Sequence, residues 1–494
     1  MEVRRIRKSF PAPSAGVKSF SGVQMVVNDN ADNFHAGRPA SNHGPPVALF
    51  DPTLGLLAYY LSHLDDDIPE IEPNHLQIGA VHMFMEQALR SYENEGKRLT
   101  AIEKSLQQAI GIDMTWKQSI CGIIPDAVFG GGLPYGVMEV KNEAGLEGDA
   151  SLQAGLSYAK IVMNGQDKLE ALRQRSNYPA VLIGTMGDLL EIGIAVFTDG
   201  PYSDCVFSQR LRLDFYQSED VLRVSRAFKA VQLALTSLHK LYARLQDKPP
   251  PKNNIAHIFP SPSPVPSYKG NMPSLSFTDR LSRTGELYLL AKSPDERRSG
   301  LYLATMPKSR GADGPATGSS SGDAPDGQVE VVVKFTTKYN ADAHRVLADA
   351  GLAPALHACI PVCGCLHMVV MERVHGEMAW DVQQRGELLP YTVYKDVKAA
   401  INLLHQHNFV FGDLRTPNIM CAPGASSSGS DEGSHAMLID FDWVGTHGSA
   451  RYPAILNDTL SVWAFGMQRR AMMYKEHDLA MLEKFRELCQ AHTA

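Results

Sequence analysis

The chain has no run of 18 consecutive apolar residues, so nothing in it reads as a membrane span and no membrane partner is expected. Cysteine is scarce, seven among 494 residues, and apart from Cys363-Gly364-Cys365 no two cysteines stand at metal-ligand spacing. An odd count with no signal peptide ahead of it points to reduced thiols and an intracellular setting, cytoplasm or nucleus, not to a disulfide framework. An excess of positive charge is missing too. Lys and Arg number 47 against 54 Asp and Glu, a net charge of −7, which excludes a chain-wide nucleic-acid footprint and leaves only a local basic surface for such a ligand. The Gly-Lys-Ser/Thr ending of a P-loop is absent as well, so the Gly/Ser/Ala/Asp stretch 311–327 reads as a flexible insert.

A chain this long, 44% hydrophobic, exceeds what one core holds, and about two domains are expected. Residues 1–44 are rich in Ser, Asn, Gly and Pro and read as a disordered leader. Its basic tip (Arg4, Arg5, Arg7, Lys8) suits either a targeting address or a solvated end. A first domain is expected over 45–248, with helical patterning from about Thr53 and again through Ile78, Val81, Met85 and Leu89. Strands follow at 120–129, 135–141, 180–183 and 190–197, and a helix runs from about Ser218 to Tyr242. Residues 249–273 hold Pro249, Pro250, Pro251, Pro260, Pro262, Pro264, Pro266 and Pro273, a composition for a semi-rigid linker. The second domain is expected over 274–494.

Its signature is the stretch 411–443. Asp413 is followed five residues on by Asn418, and the apolar run Met437-Leu438-Ile439 then delivers Asp440. Each residue alone suits a turn. Together the three have the spacing of a catalytic carboxylate that accepts a hydroxyl proton and of an Asn and an Asp that hold Mg²⁺ against ATP phosphates. Upstream, the apolar strand 329–335 ends in Lys334, which is costly to bury unpaired and suits a grip on the α/β phosphates. Its partner acid is expected on the next helix, 341–350, where Asp342 is the nearest candidate. Backbone near Glu372 to Val374, after the strand 368–374, is placed to meet adenine. The nucleotide-covering turn is left open between Gly285 and 297–300.

In the first domain, Asp126 precedes a Gly-rich turn and the strand carrying Glu139, Val140 and Lys141. Alternation puts Glu139 and Lys141 on one face. Facing Asp126, they would offer two carboxylates for Mg²⁺ or Mn²⁺ and a Lys to help deprotonate a metal-bound water. An exposed strand edge carrying Glu and Lys for solubility is the alternative.

The 411–443 motif resembles protein-kinase-like enzymes, more narrowly the RIO and aminoglycoside-phosphotransferase-like members with a G-D-x-x-x-x-N loop. Phe411 stands in place of their His and Asp442 in place of the Gly of D-F-G, and no A-P-E sequence follows. The resemblance implies an ATP- and Mg²⁺-dependent phosphotransferase with a protein hydroxyl as acceptor, Asp413 and Lys334 catalytic with Arg415 beside them, and a reduced lower lobe. In that lobe 458–466 is similar to the helix anchoring the catalytic loop, with Ser461 at the family's Asp position. The Asp126, Glu139, Lys141 set resembles PD-(D/E)XK restriction-endonuclease-like nucleases, which implies roles for Gln153 and Tyr158 on the following helix, for Glu86 on the preceding one, and DNA as ligand. Both motifs in this order resemble Crinkler-type fusion proteins of fungi and oomycetes. The expected fold is therefore multidomain α+β, a restriction-endonuclease-like α/β core followed by a reduced two-lobed kinase-like fold. The alternative function is a metal-dependent nuclease with a regulatory or pseudokinase partner domain.

Overall fold

The computed structural model describes residues 9–28, 34–37, 42–143, 148–165, 171–251, 254–282, 285–291, 293–308, 327–423, 434–457 and 462–490. The basic tip, nearly all of the 311–327 insert and Ser461 lie outside them. The chain is a multidomain α+β protein of two compact units. One comprises Met1–Tyr268 with Leu290–Ser299 and Val362–Cys365, the other Lys269–Leu289, Gly300–Pro361 and Leu366–Ala494.

In the first unit the helices start where a short polar side chain can cap them. Asp51 opens α1 (Pro52–Ser62), Asn74 α2 (His75–Ala88) and Asn94 α3 (Glu95–Ile110), each accepting a first-turn N–H at 2.8–3.0 Å. Helix α3 ends at left-handed Gly111 and buries Leu99, Ile102, Leu106 and Ile110 at helical spacing. It was not expected from the sequence, although both caps and the periodicity are legible there.

The sheet runs in chain order. It comprises β1 (Thr115–Trp116), β2 (Ala127–Phe129), β3 (Gly136–Lys141), β4 (Ala180–Met186), β5 (Leu189–Phe197) and β6 (Pro201–Arg210). Only β3 and β4 are parallel, joined through α4 (Ala150–Asn164), and both are buried along their whole length, as strands covered on two faces must be. In their register Gly184 lies beside Glu139. A Cβ at Gly184 would stand 2.4 Å from Ser151 Oγ and 2.8 Å from Ser151 N, so the missing side chain is what lets the start of α4 lie on the strand. The long helix α5 (Gln217–Asp247) follows β6.

Two expectations change here. Within the supposed leader, Phe10, Val17, Val26 and Phe34 are buried, and helices form at Pro13–Val17 and Phe20–Val27, because apolar residues among the Ser and Gly find a core. Within the supposed linker, Ile258 and Phe259 are buried and Ser261 N–H donates to Leu49 O at 2.7 Å, so this proline-rich stretch is laid against the first unit.

The second unit carries a six-stranded sheet, built from β7 (Ser276–Leu281), β8 (Leu287–Tyr288), β9 (Leu301–Pro307), β10 (Gln328–Thr336), β11 (Leu356–Val362) and β12 (Leu366–Glu372). Its order is β11-β12-β10-β9-β7-β8. The antiparallel register sets Lys334 of β10 opposite Val369 on one side and Leu301 on the other. Helix α6 (Ala341–Asp349) follows β10. Further on come α7 (Tyr391–Gln406), a small sheet of β13 (Glu377–Met378), β15 (Ile419–Ala422) and β16 (His435–Leu438), the pair β14 (Phe409–Val410) and β17 (Gly445–Thr446), and α8 (Lys475–Arg486). Val393, Val397, Ile401 and Leu404 of α7 form one core with Phe411, Ile419, Leu438, Phe441, Met481 and Phe485. That core holds the 411–418 and 439–442 loops side by side.

Gly184→Val should destabilise the first unit by about 1–3 kcal/mol, the usual cost of overpacking, while Gly131→Ala, where a Cβ meets nothing, should be near neutral. Urea midpoints of the two variants check this, and equal midpoints would remove the close-approach argument.

Candidate active sites

In the second unit the loop after β14 turns at Gly412, whose φ is +79° and where a Cβ would stand 2.3 Å from Met473 Cε. Asn418 Nδ2 donates to Asp413 O at 2.9 Å, so its carbonyl end is left facing the other way, and Ile439 N–H donates to Asn418 O at 3.0 Å. The loops carrying Asp413, Asn418 and Asp440 are thereby joined. Phe411 is fully buried and meets Phe441 edge-on, ring centres 5.9 Å apart, which is how the site accommodates an aromatic residue at that position.

Both oxygens of Asp413 are taken by Arg415, Nε on Oδ1 and Nη2 on Oδ2 at 2.7 Å, and the guanidinium lies 4.8 Å from the Trp463 ring centre. Burial pushes the Asp413 carboxyl up, against the lowering influence of Arg415.

Lys334 Nζ lies 2.8 Å from Asp440 Oδ1 and 2.8 Å from Asp442 Oδ1. Burial acts to lower its pKa, but the two carboxylates outweigh burial and raise it. Burial likewise works against ionised Asp440, yet Lys334 holds that group below the usual carboxylate range. Burial, then the charge of Asp440, pushes Asp442 up to about 6. Asp440 has a left-handed φ of +67°, costly for a non-glycine residue, and 39% of its side-chain surface stays open.

The helix-borne partner expected for Lys334 is not used. Asp342 points outward, 82% exposed, and pairs with Arg345. The inward residue of α6 is His344, bonded to Tyr339 Oη and Pro354 O and stacked on Phe441. Glu372 is exposed at the end of β12 with its N–H already donated to Ala355 O at 2.9 Å. Of the turn candidates, Gly285 joins β7 to β8, whereas Ser299 and Gly300 lead into β9.

The carboxylate that holds the loop before Asp413 is Asp478 of α8, 1% exposed. Its Oδ2 accepts from Phe411 N–H at 2.8 Å and His405 Nε2 at 3.0 Å, and its Oδ1 from Gly412 N–H at 2.9 Å. An acid three and four residues before the buried Met481 and Leu482, hence on the inward face of a helix, was the available signal.

In the first unit Asp126, Glu139 and Lys141 converge, each at most 2% exposed. Asp126 Oδ2 accepts from Val140 N–H at 2.7 Å, and its Oδ1 is paired with Lys117, a residue the sequence reading missed. Lys117 is placed there by its own backbone, N–H to Asp126 O at 2.9 Å with φ of +48°. Glu139 accepts from Gln153 Nε2 and Ser157 Oγ, both at 2.7 Å. Lys141 Nζ meets Glu95 Oε2 at 2.7 Å. The acid supplied by a helix is thus Glu95, at the start of α3, while Glu86 on α2 is not among these contacts. Tyr158 is not part of the set either, since its hydroxyl donates to Tyr178 O. Among the described residues no group of three or more His, Cys, Asp or Glu side chains is arranged to hold a metal ion.

No protein-family model matches the chain, and no curated protein matches it. Among solved structures one match is the Cydia pomonella granulovirus kinase PK-1, at 16% identity and a TM-score of 0.28. The alignment covers 38% of this chain and 63% of that one, under two thirds of the kinase's length.

Burial first, then the charge of Asp126, pushes Glu139 up from 4.5 to about 8. The folded state therefore keeps a proton that the unfolded chain releases, so this stabilisation is full below about pH 4.5 and is lost as the pH rises through about 8. Glu139→Gln should flatten that decline, seen as a smaller fall in urea midpoint between roughly pH 5 and pH 8.5. An equally steep fall in both proteins would place the slope on other groups.

Proposed function

We propose that the second unit is an ATP- and Mg²⁺-dependent phosphotransferase of the protein-kinase-like class, acting on a hydroxyl of a protein substrate. The observation that supports this is the meeting of Lys334, Asp413, Asn418 and Asp440, drawn from three separated segments, around one open carboxylate. Asp413 is the group to take the acceptor's proton as the γ-phosphoryl passes from ATP to the hydroxyl oxygen and ADP leaves. Its raised pKa suits that task. Lys334 reaches the α/β phosphates, and Val374, with Glu372 before it, borders the adenine. The Asn418 carbonyl and the open side of Asp440 fit a divalent ion, which when bound neutralises phosphate charge. Arg415 has to leave Asp413 for a hydroxyl to approach, and its guanidinium is then free to meet charge on the transferred phosphoryl.

Lys334→Ala should weaken Mg·ATP binding, and Asp413→Asn and Asp440→Asn should each lower transfer on the order of a hundredfold or more. The check is γ-phosphate transfer from labelled ATP into protein mixtures. An Asp440→Asn variant as active as the parent would overturn the role given to that residue.

The convergence in the first unit favours a second reading, a metal-dependent nuclease of the PD-(D/E)XK-like class with Asp126 and Glu139 as Mg²⁺ or Mn²⁺ ligands and Lys141 beside them. Such a fusion would suit a Crinkler-type protein acting on DNA in a nucleus. The donors fit a divalent ion only once Lys117 leaves Asp126; Lys117 is 53% exposed and regains hydration on leaving, and the incoming ion would then supply the counter-charge that Asp126, 3% exposed, requires. DNA cleavage by the full chain should disappear in Glu139→Ala and Lys141→Ala, persist in Lys117→Ala, and fall as salt rises. Equal cleavage by parent and Glu139→Ala would instead leave this unit as a binding or regulatory module.

A further inference from the structure

Helix α6 offers Lys334 no carboxylate. Asp342 faces solvent with Arg345, Asp349 is exposed, and the inward position is filled by His344, whose two ring nitrogens are both engaged. The lysine is nevertheless only 13% exposed, a position in which an ammonium needs a fixed counter-charge. Two carboxylates supply it, Asp440 and Asp442, and they differ in what else they do. Asp440 is open on one side, toward the place proposed for the divalent ion. Asp442, 24% exposed, is tied to the strand itself, because its Oδ2 accepts from Thr336 Oγ1 at 2.8 Å. Thr336 lies two residues beyond Lys334 on β10 and so on the same face.

We propose that Asp442 is the positioning residue for Lys334, holding its ammonium toward the nucleotide through a strand-to-loop ion pair that does not involve α6. This rests on the phosphotransferase reading of the site. When a divalent ion draws on Asp440, Asp442 remains as the counter-charge, and Thr336 keeps it in register. The loop that presents the metal carboxylate therefore also aims the lysine. The two are set together, and movement of α6 does not switch them.

The test uses the full chain and two independent readouts. In Mg·ATP titrations, Asp442→Asn should raise Kd at least tenfold, Asp442→Glu should restore part of that loss, Thr336→Val should cost less, and Asp342→Ala should leave Kd within about twofold of the parent, as expected for an exposed i,i+3 pair. In thermal unfolding, which needs no nucleotide, Lys334→Met and Asp442→Asn should each lower the Tm, and the double variant should lose clearly less than the sum, whereas Lys334→Met and Asp342→Ala should add. Absence of the Lys334–Asp442 coupling overturns the proposal whatever the ATP result, as does an Asp442→Asn variant that binds Mg·ATP like a binding-competent parent. A parent that binds no ATP but shows the coupling would sink the phosphotransferase reading and leave the pairing standing.

Discussion

An ammonium group cannot lie in the middle of a sheet unless a negative charge comes to meet it, and Lys334 imposes that demand on the whole second unit. Its strand runs between two others, with apolar residues opposite on both sides. Desolvating the charge costs several kcal/mol before any partner is counted. The partners arrive on one short loop, which has to press Asp440 and Asp442 against the strand together, and the left-handed backbone at Asp440 is part of what that approach costs. Phe441 between them is buried against Phe411 and His344, so apolar packing and charge pairing fix the same loop from opposite sides.

The first unit meets the same constraint in three ways within a few residues. Lys141 is neutralised by a carboxylate from a helix start. Asp126 is met by a backbone N–H and a lysine that remains half in water. Glu139, with no cation of its own in hydrogen-bond contact, accepts two neutral donors and retains a proton up to about pH 8. These solutions differ in how readily they can be undone. The Lys117 pair is the easiest to open, since the lysine regains full hydration on leaving, whereas Lys141 is confined from all sides.

What could be read in the sequence was whatever depends on neighbours along the chain. The strands holding Glu139 and Lys334 follow from their apolar runs, the spacing of Asp413 and Asn418 from the shortness of one loop, and Asp440 from the apolar run that ends just before it. Partners across the fold were less accessible. The partner acid of Lys334 is expected on the next helix, where Asp342, eight residues on, is the nearest candidate. The register of α6 turns that residue outward, and the true counter-charge lies over a hundred residues away. Glu95 was missed for a different reason. The capped amphipathic run of α3 went unrecognised, so the helix start that carries this acid was never placed beside β3. The buried leader residues were hidden by composition, since a few apolar side chains among Ser and Gly suffice once a core exists to receive them.

Asp478 shows what the segment after Asp440 contributes to the 411–418 loop. Phosphoryl transfer depends on positioning more than on covalent participation, so a base must be held in place before substrate arrives. The side-chain oxygens of Asp413 are bonded to Arg415, which the proposed transfer requires to move away. The restraint must act on the backbone just before Asp413, and there two successive N–H groups, of Phe411 and Gly412, converge on one fully enclosed carboxylate. Such charge-assisted bonds, out of water and donated by main chain, are among the stiffest a protein can make. His405 from α7 completes the grip on the same carboxylate. The orientation of the Asp413 backbone is therefore inherited from the packing of α8 against α7, independently of the side-chain pair with Arg415.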